Sequence, residues 1–331
     1  MILAVPKLKN DPFLKSQLNQ GLGVSITTKT NPNPSQYRGR FAPSPTGPLH
    51  AGSLASALGS WLDAKANHGQ WLVRIEDIDS PRTIAGADQI ILNQLQACGL
   101  HWDGEVVWQS QRHALYQNAL DCLIENKLVY RCTCSRQTIV QNLEAQGIQI
   151  ERHGELIYPH TCRHQAIASD ASTFAWRLAL PESCWIQFDD LKMGHHESNL
   201  NQEVGDFVLQ RADGLFTYQL AVVVDDAEQG ITHIVRGEDL LSNTARQIYL
   251  QQILNLTKPT YQHLPVVKNT AGEKLSKQTH AKAINTSSRE TILRELNQAA
   301  QHLGLRNVAT NLSNSISDWL NQAVIAWKIM R

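Results

Sequence analysis

Apolar and polar positions follow two different rhythms along this chain, and the change of rhythm marks its elements. Residues 37–43 read as a short strand and Pro43-Ser-Pro-Thr-Gly-Pro48 as a loop. Over residues 53–67 the apolar side chains of Leu54, Ala57, Leu58, Trp61, Leu62 and Ala64 recur at helical spacing, which predicts a helix with one buried face. Residues 70–75 form a second apolar strand that ends in Glu76-Asp-Ile-Asp79, and 84–98 and 112–126 read as amphipathic helices. Strands alternating with helices argue for an α/β fold built on a parallel sheet with right-handed crossovers. Residues 129–186 break the alternation and read as an insertion, with one strand expected at 173–179. The α/β pattern resumes with the apolar segments 207–210, 217–224 and 232–235 and a helix at about 242–254. A polar loop with three lysines follows at 268–278, and helical segments run on to Arg331. Residues 1–36 show little periodicity and end in turn formers, so they read as a loose extension.

Composition narrows the class. The chain has 331 residues, 42% of them hydrophobic, enough for a substantial core. Thirty basic side chains balance thirty acidic ones, so no overall field draws in nucleic acid and any RNA contact must be local. No apolar run reaches the roughly 18 to 20 residues of a membrane span, and the start is too short in apolar residues for a signal peptide. A cytoplasmic protein with no membrane partner is the expectation. Cys98, Cys122 and Cys184 stand alone among apolar neighbours and read as small buried hydrophobes. Cys132, Cys134 and Cys162 are different: a tight thiol pair with a third thiol downstream points to metal more than to a disulfide in a reducing compartment.

Two further segments carry candidate chemistry. Pro48-Leu-His-Ala-Gly52 falls between the first strand and the mouth of the first helix, where a doubly wound sheet binds ligands. Gly52 would let a nucleotide approach the backbone, and the His50 imidazole would donate to a phosphate oxygen as charge develops. Taken alone, a histidine before a helix is more often a cap. Lys274-Leu-Ser-Lys277 offers two cations and the Ser276 hydroxyl on a polar loop, suited to a triphosphate, although lone lysine pairs are usually solvated surface. Neither the dinucleotide fingerprint nor the P-loop is present.

Together, Arg40-Phe-Ala-Pro-Ser-Pro-Thr-Gly-Pro-Leu-His-Ala-Gly52 and Lys274-Leu-Ser-Lys-Gln278 resemble the two signature motifs of class I aminoacyl-tRNA synthetases. Val73-Arg-Ile-Glu-Asp-Ile-Asp79, Val223-Val-Asp-Asp226 and Ile234-Val-Arg-Gly-Glu-Asp-Leu240 narrow the resemblance to the glutamyl subgroup, from about Tyr37 to Gln278. It implies a synthetase-type Rossmann fold, a doubly wound parallel sheet with an inserted zinc-binding subdomain and a short helical C-terminal region. The implied division is an extension (1–36), two halves of a catalytic domain (37–128 and 187–262) around the insertion (129–186), and the lysine loop with a short tail (263–331). By this resemblance Arg40, Phe41, Ala42, Pro43, Ser44, Glu76, Tyr218 and Arg236 bind L-glutamate. His50, Gly52, Lys274, Ser276 and Lys277 bind ATP with its Mg2+, and His50 and Lys277 are catalytic. Guanidinium suits the side-chain carboxylate, through Arg40 and Arg236, and a carboxylate at Glu76 suits the α-ammonium. Without the family, Glu76, Asp77 and Asp79 read equally as a magnesium site or a solvated strand end.

The family's zinc pattern matches Cys132, Cys134, Tyr158 and Cys162, and thiolates favour tetrahedral zinc. His153, His160 and His164 remain chemically more ordinary fourth donors. Ordinary glutamyl enzymes continue into a large anticodon-reading domain, whereas only 279–331 follow the lysine loop here. The chain in this respect resembles the truncated glutamyl-queuosine tRNA(Asp) synthetases, which attach glutamate to the queuosine base at the wobble position. Val222, where ordinary glutamyl enzymes have Asn, departs in the same direction. A monomer acting on queuosine-containing tRNA(Asp) is expected, with RNA contact in the insertion through Arg131, Arg136, Arg152 and Arg163. Competing readings are a shortened enzyme charging the tRNA 3′ end, a noncatalytic RNA-binding paralogue and a small nucleotidyltransferase. The last leaves Glu76 and Arg236 without a role.

Overall fold

The computed structural model describes residues 36–148, 156–165, 173–267, 282–305, 308 and 315–330. The lysine loop with Lys274, Ser276 and Lys277, residues 1–35, Arg152 and His153 lie outside them. The first strand, β1 (Arg38–Phe41), leads through the Pro43-to-Pro48 loop into α1 (Ala51–Ala66), and the chain returns in β2 (Gln70–Ile75). After α2 (Ala87–Ala97), a short β3 (Val107–Trp108) adds to β2, so β1, β2 and β3 run parallel in that spatial order. Then come α3 (His113–Glu125), β4 (Val129–Cys132), α4 (Arg136–Ala145) and β5 (Ala175–Leu178). The hairpin β6 (Trp185–Asp190) and β7 (Gly194–Asn199) is followed by the single turn α5 (Leu200–Glu203) and by β8 (Val208–Gln210). The remaining elements are α6 (Tyr218–Glu228), β9 (His233–Gly237), α7 (Leu241–Ile253), β10 (Thr260–Leu264), α8 (Arg289–His302) and α9 (Ile316–Met330).

The fold is mixed α/β with parallel strands, but the strands do not form one purely parallel sheet. A second sheet has the order β7, β6, β10, β9, with β10 parallel to both neighbours and β7 antiparallel at the edge. Its β9 end lies beside β1, where the Thr232 amide donates to the Arg38 carbonyl at 2.9 Å and the Arg38 amide donates to Thr232 Oγ1 at 2.8 Å. The junction of β1 and β9 is therefore where the strand order reverses, the crevice that such folds use for ligands.

Two sequence expectations change. Residues 207–210, read as a return to the α/β layer, instead pair through β8 with β5, completing a separate antiparallel sheet β4, β5, β8. The 217–224 segment, read among the apolar segments of the α/β pattern, is helix α6 despite the β-branched run Val222-Val-Val224. Every residue from Leu220 to Asp226 is buried, and the helix lies against α3 and α7. Burial on all sides overrides intrinsic strand preference there.

Helix α1 organises one core. Leu54, Leu58 and Leu62 are fully buried, and Gly59 lets the helix approach β10 so closely that a Cβ there would meet Leu264 Cδ1 at 2.5 Å. The outer side of α1 is covered by α8 and α9, whose Trp319 and Trp327 are fully buried. Trp327 Nε1 donates to Asp63 Oδ1 at 2.9 Å, which ties the C-terminal helix to α1. Among the described residues no helix is long and apolar enough to cross a membrane. All six cysteines are free, Cys98 and Cys184 buried and Cys122 half-buried.

Candidate active site and cysteine cluster

A cavity of about 740 Å³ opens at the C-terminal ends of β1, β2 and β9. All ten described residues that the sequence singled out for glutamate or ATP line it: the five from Arg40 to Ser44, His50, Gly52, Glu76, Tyr218 and Arg236. The Glu76 amide donates to the Pro43 carbonyl at 2.9 Å, so the loop after β1 is pinned to the end of β2. The described chain leaves at Val267, on the cavity wall, and resumes at Lys282, and the next residue, Ala283, pairs with His50 as an isolated bridge.

The floor is a buried ionic network. Arg40 forks onto Asp226, Nε to Oδ1 at 3.1 Å and a terminal nitrogen to Oδ2 at 3.2 Å. Arg74, fully buried, donates to Asp226 at 2.8 Å, to Gln229 at 2.7 Å and to Glu76 at 3.2 Å. Burial opposes the Arg74 charge, but Asp226, Asp225 and Glu76 outweigh it and raise its pKa. Burial likewise opposes ionisation of Asp226, yet Arg40 and Arg74 hold its carboxyl below the usual range. Glu76 behaves differently. Burial pushes it up to about 6, because Arg74 and Arg40 only partly compensate.

Of the two arginines expected to meet a carboxylate, Arg40 is thus already matched by Asp226. Arg236 is not. It is 4% exposed, and its partners are neutral: His263 Nε2 at 3.0 Å, Gln247 Oε1 at 2.8 Å, Thr244 Oγ1 at 2.9 Å, and the Tyr218 hydroxyl and Leu240 carbonyl at 3.4 Å each. Among the described residues no carboxylate lies within ion-pair distance of it. The charge of this buried cation, which lines the cavity, is left without a counter-ion in contact among the described residues.

His50 caps α1. Its Nδ1 accepts from the amides of Gly52 (3.1 Å) and Ser53 (3.4 Å), while its own amide donates to Ser53 Oγ at 2.8 Å, a reciprocal capping box. With Nδ1 an acceptor, the ring proton sits on Nε2, at the positive end of the helix. The cap uses Nδ1 alone.

Away from the cavity, Cys132, Cys134 and Cys162 bring their sulfurs within 4.8 Å of one another. The Tyr158 hydroxyl joins them, 3.3 Å from the Cys132 sulfur and 3.6 Å from that of Cys134. Gly205, at φ +68°, lets the Tyr158 backbone approach so closely that a Cβ would meet its amide at 2.9 Å. Burial opposes ionisation of Cys162, but hydrogen bonds from Tyr158, the Thr133 backbone and the other two thiols bring it down to about 7. Three sulfurs around tetrahedral zinc lie about 3.8 Å apart, so the donor set fits that ion. His160 faces elsewhere, its Nδ1 2.8 Å from Asp206 Oδ2, and His164 is exposed.

The sequence profile of the catalytic domain of class I tRNA synthetases (E and Q) matches residues 36–308. A protein of Albidiferax ferrireducens named glutamyl-Q tRNA(Asp) synthetase is 51% identical over 86% of this chain and 98% of its own length. One of the same name from Burkholderia cenocepacia is 53% identical over 88% of this chain and 96% of its own. The chain belongs to the glutamyl-Q tRNA(Asp) synthetase family. As a member of that family it is a ligase of the class I aminoacyl-tRNA synthetase type, in the branch concerned with glutamate and tRNA. A crystal structure of a glutamate-tRNA synthetase from Elizabethkingia anophelis matches with a TM-score of 0.73 at 25% identity, over 87% of this chain and 66% of that one.

Within this glutamyl-Q synthetase family member, several residues that build the site escaped the sequence reading. Asp225 and Asp226 belong to the Val223-Val-Asp-Asp226 motif, and two adjacent acids in an otherwise apolar run signal buried ion pairs. Arg74, inside an apolar strand, carries the same signal. Asp190 and His263, 73 residues apart, become partners only in the fold.

Proposed function

We propose that this protein activates L-glutamate with ATP, without needing tRNA, and transfers it to the queuosine base at the wobble position of tRNA(Asp). The observation that carries the reading is Arg236, a buried guanidinium without a carboxylate among the described residues, sharing one cavity with the Glu76 carboxylate. A cation for the side-chain carboxylate and an anion for the α-ammonium are what glutamate requires. Arg40, Phe41, Ala42, Pro43, Ser44 and Tyr218 complete its pocket, with Arg40 held rigidly by Asp226.

In the first step a glutamate α-carboxylate oxygen attacks the ATP α-phosphorus, the bond to the bridging oxygen breaks, and pyrophosphate leaves with its Mg2+. His50 Nε2–H stabilises the phosphoryl charge, and Gly52 opens the helix mouth to the nucleotide. Lys274, Ser276 and Lys277, which lie outside the described residues, supply the remaining charge for the leaving group. In the second step a queuosine ring hydroxyl attacks the acyl carbon, loses its proton and releases AMP. Neither step needs a protein nucleophile, because positioning and charge stabilisation are sufficient. Cys132, Cys134, Tyr158 and Cys162 would hold one structural zinc, which cross-links the chain around β4 when bound. The deciding experiment is glutamate-dependent ATP/pyrophosphate exchange with no RNA present. Exchange with glutamate alone is expected. Exchange only after tRNA is added would favour charging of the 3′ end, and none under either condition would favour a noncatalytic protein.

A further inference from the structure

We infer that Asp190 is a positioning residue for glutamate recognition: it fixes the tautomer of His263, and His263 in turn fixes Arg236. The inference rests on the reading of Arg236 as the receptor for the side-chain carboxylate. All three residues are buried, at 3%, 0% and 4% exposure. Asp190 Oδ1 accepts three backbone N–H groups, from Met193 at 2.8 Å, Lys192 at 3.0 Å and His263 at 3.2 Å. Its other oxygen, Oδ2, lies 2.6 Å from His263 Nδ1. A carboxylate can only accept, so the proton of that contact belongs to Nδ1, and Nε2 is left with a lone pair. That lone pair receives Arg236 Nε–H at 3.0 Å. One Arg236 terminal nitrogen is held by Gln247 and Tyr218 and the other by Thr244 and the Leu240 carbonyl. The guanidinium plane is thereby set without any carboxylate of the described residues touching it.

The arrangement also keeps Arg236 hungry for a carboxylate. A negative partner in direct contact would neutralise it, as Asp226 does for Arg40. Here the compensating charge is Asp190, one imidazole away. Burial and the nearby Arg236 charge both hold His263 neutral, so the relay orients the cation and leaves its charge for the ligand.

Asp190→Asn is the discriminating variant. The three backbone donors at Oδ1 require an oxygen there, so the new amide must present its NH2 to His263 Nδ1. The imidazole can then keep that contact only by moving its proton to Nε2, where it opposes Arg236 Nε–H. Glutamate KM in the exchange reaction is expected to rise about tenfold to a hundredfold, as for loss of a hydrogen bond to a charged group. ATP KM and kcat should stay within threefold of the parent, and the preference for glutamate over glutamine should shrink. Nitrogen-15 spectra of the unaltered protein should show His263 protonated at Nδ1 and bare at Nε2. Absence of exchange in the unaltered protein would remove the glutamate reading itself. Exchange with an unchanged glutamate KM in folded Asp190→Asn would overturn the relay alone. So would an equal rise in both KM values, or an Nε2–H tautomer in the unaltered protein, a test that needs no variant to fold.

Discussion

Replacing Glu76 by Gln should separate binding from stability. The side chain is 8% exposed, donates nothing and accepts from Arg74 at 3.2 Å, a contact the glutamine oxygen can keep. Burial raises its pKa from 4.5 to about 6, so the folded state holds the proton more tightly than the unfolded chain does. The sign follows from linkage: stability falls as pH rises from about 4.5 to about 6, and the loss is complete above that window. A shift of about 1.5 units corresponds to about 2 kcal/mol of cost at pH 7.5. Glutamine carries no charge and escapes this cost, so Glu76→Gln should be more stable than the parent at pH 7.5 by up to about 2 kcal/mol. The same change removes the anion we propose for the α-ammonium, a contact of about 1.5 to 3 kcal/mol, and glutamate KM should then rise roughly tenfold to a hundredfold. Urea unfolding at pH 5 and 7.5, with KM for glutamate and ATP in the exchange assay, reads both effects. In the parent, glutamate KM should rise about tenfold per pH unit below pH 6 and in the variant stay flat, since only the ionised carboxylate binds. A variant that is destabilised by more than about 1 kcal/mol at pH 7.5, with glutamate KM unchanged, would refute the reasoning.

Three further outcomes are expected. His50→Asn retains a capping oxygen for α1 but loses the Nε2 donor, so the urea midpoint should barely move while kcat falls about a hundredfold to a thousandfold; equal losses in both would mean the histidine is only a cap. Cys162→Ser should lower bound zinc, measured by atomic emission, from one equivalent to near zero and reduce the melting temperature; a parent protein purified without metal after growth in zinc would count against the site. Asp225 is fully buried and accepts from Arg112 at 2.6 Å, Gln109 at 2.8 Å and Tyr116 at 2.9 Å. Asp225→Asn should therefore cost about 3 to 5 kcal/mol in urea unfolding, and a cost under about 1 kcal/mol would show that the network is not what holds α3 to α6.

The cavity-lining residues between Arg40 and Glu76 were legible in the chain because they are short-range features. The segment from Arg40 to Gly52 places a strand end, a loop and a helix mouth in thirteen residues, and local geometry alone delivers Ser44 and His50 to one crevice. Glu76 ends the next strand and follows by the same logic. The three cysteines were legible as chemistry, because clustered thiols imply a ligand wherever they meet. What the linear order left open was which contacts are made. Tyr158 and not His160 lies among the sulfurs, because Asp206, far along the chain, takes the histidine and Gly205 admits the Tyr158 backbone.

The chain's own periodicity determined the alternation of strands and helices, since the 3.6 and 2.0 repeats are properties of neighbouring residues. Tertiary packing alone decided that Val222-Val-Val224 is helical, that 208–210 joins the β4 and β5 sheet, and that β9 lies beside β1. It alone also decided the charges. Arg40 and Arg236 are the same residue type at two edges of one cavity, and nothing local distinguishes them. Asp226 neutralises the first, and the second meets Asp190 only through His263, because burial makes every ion find a partner and the fold dictates which one is in reach.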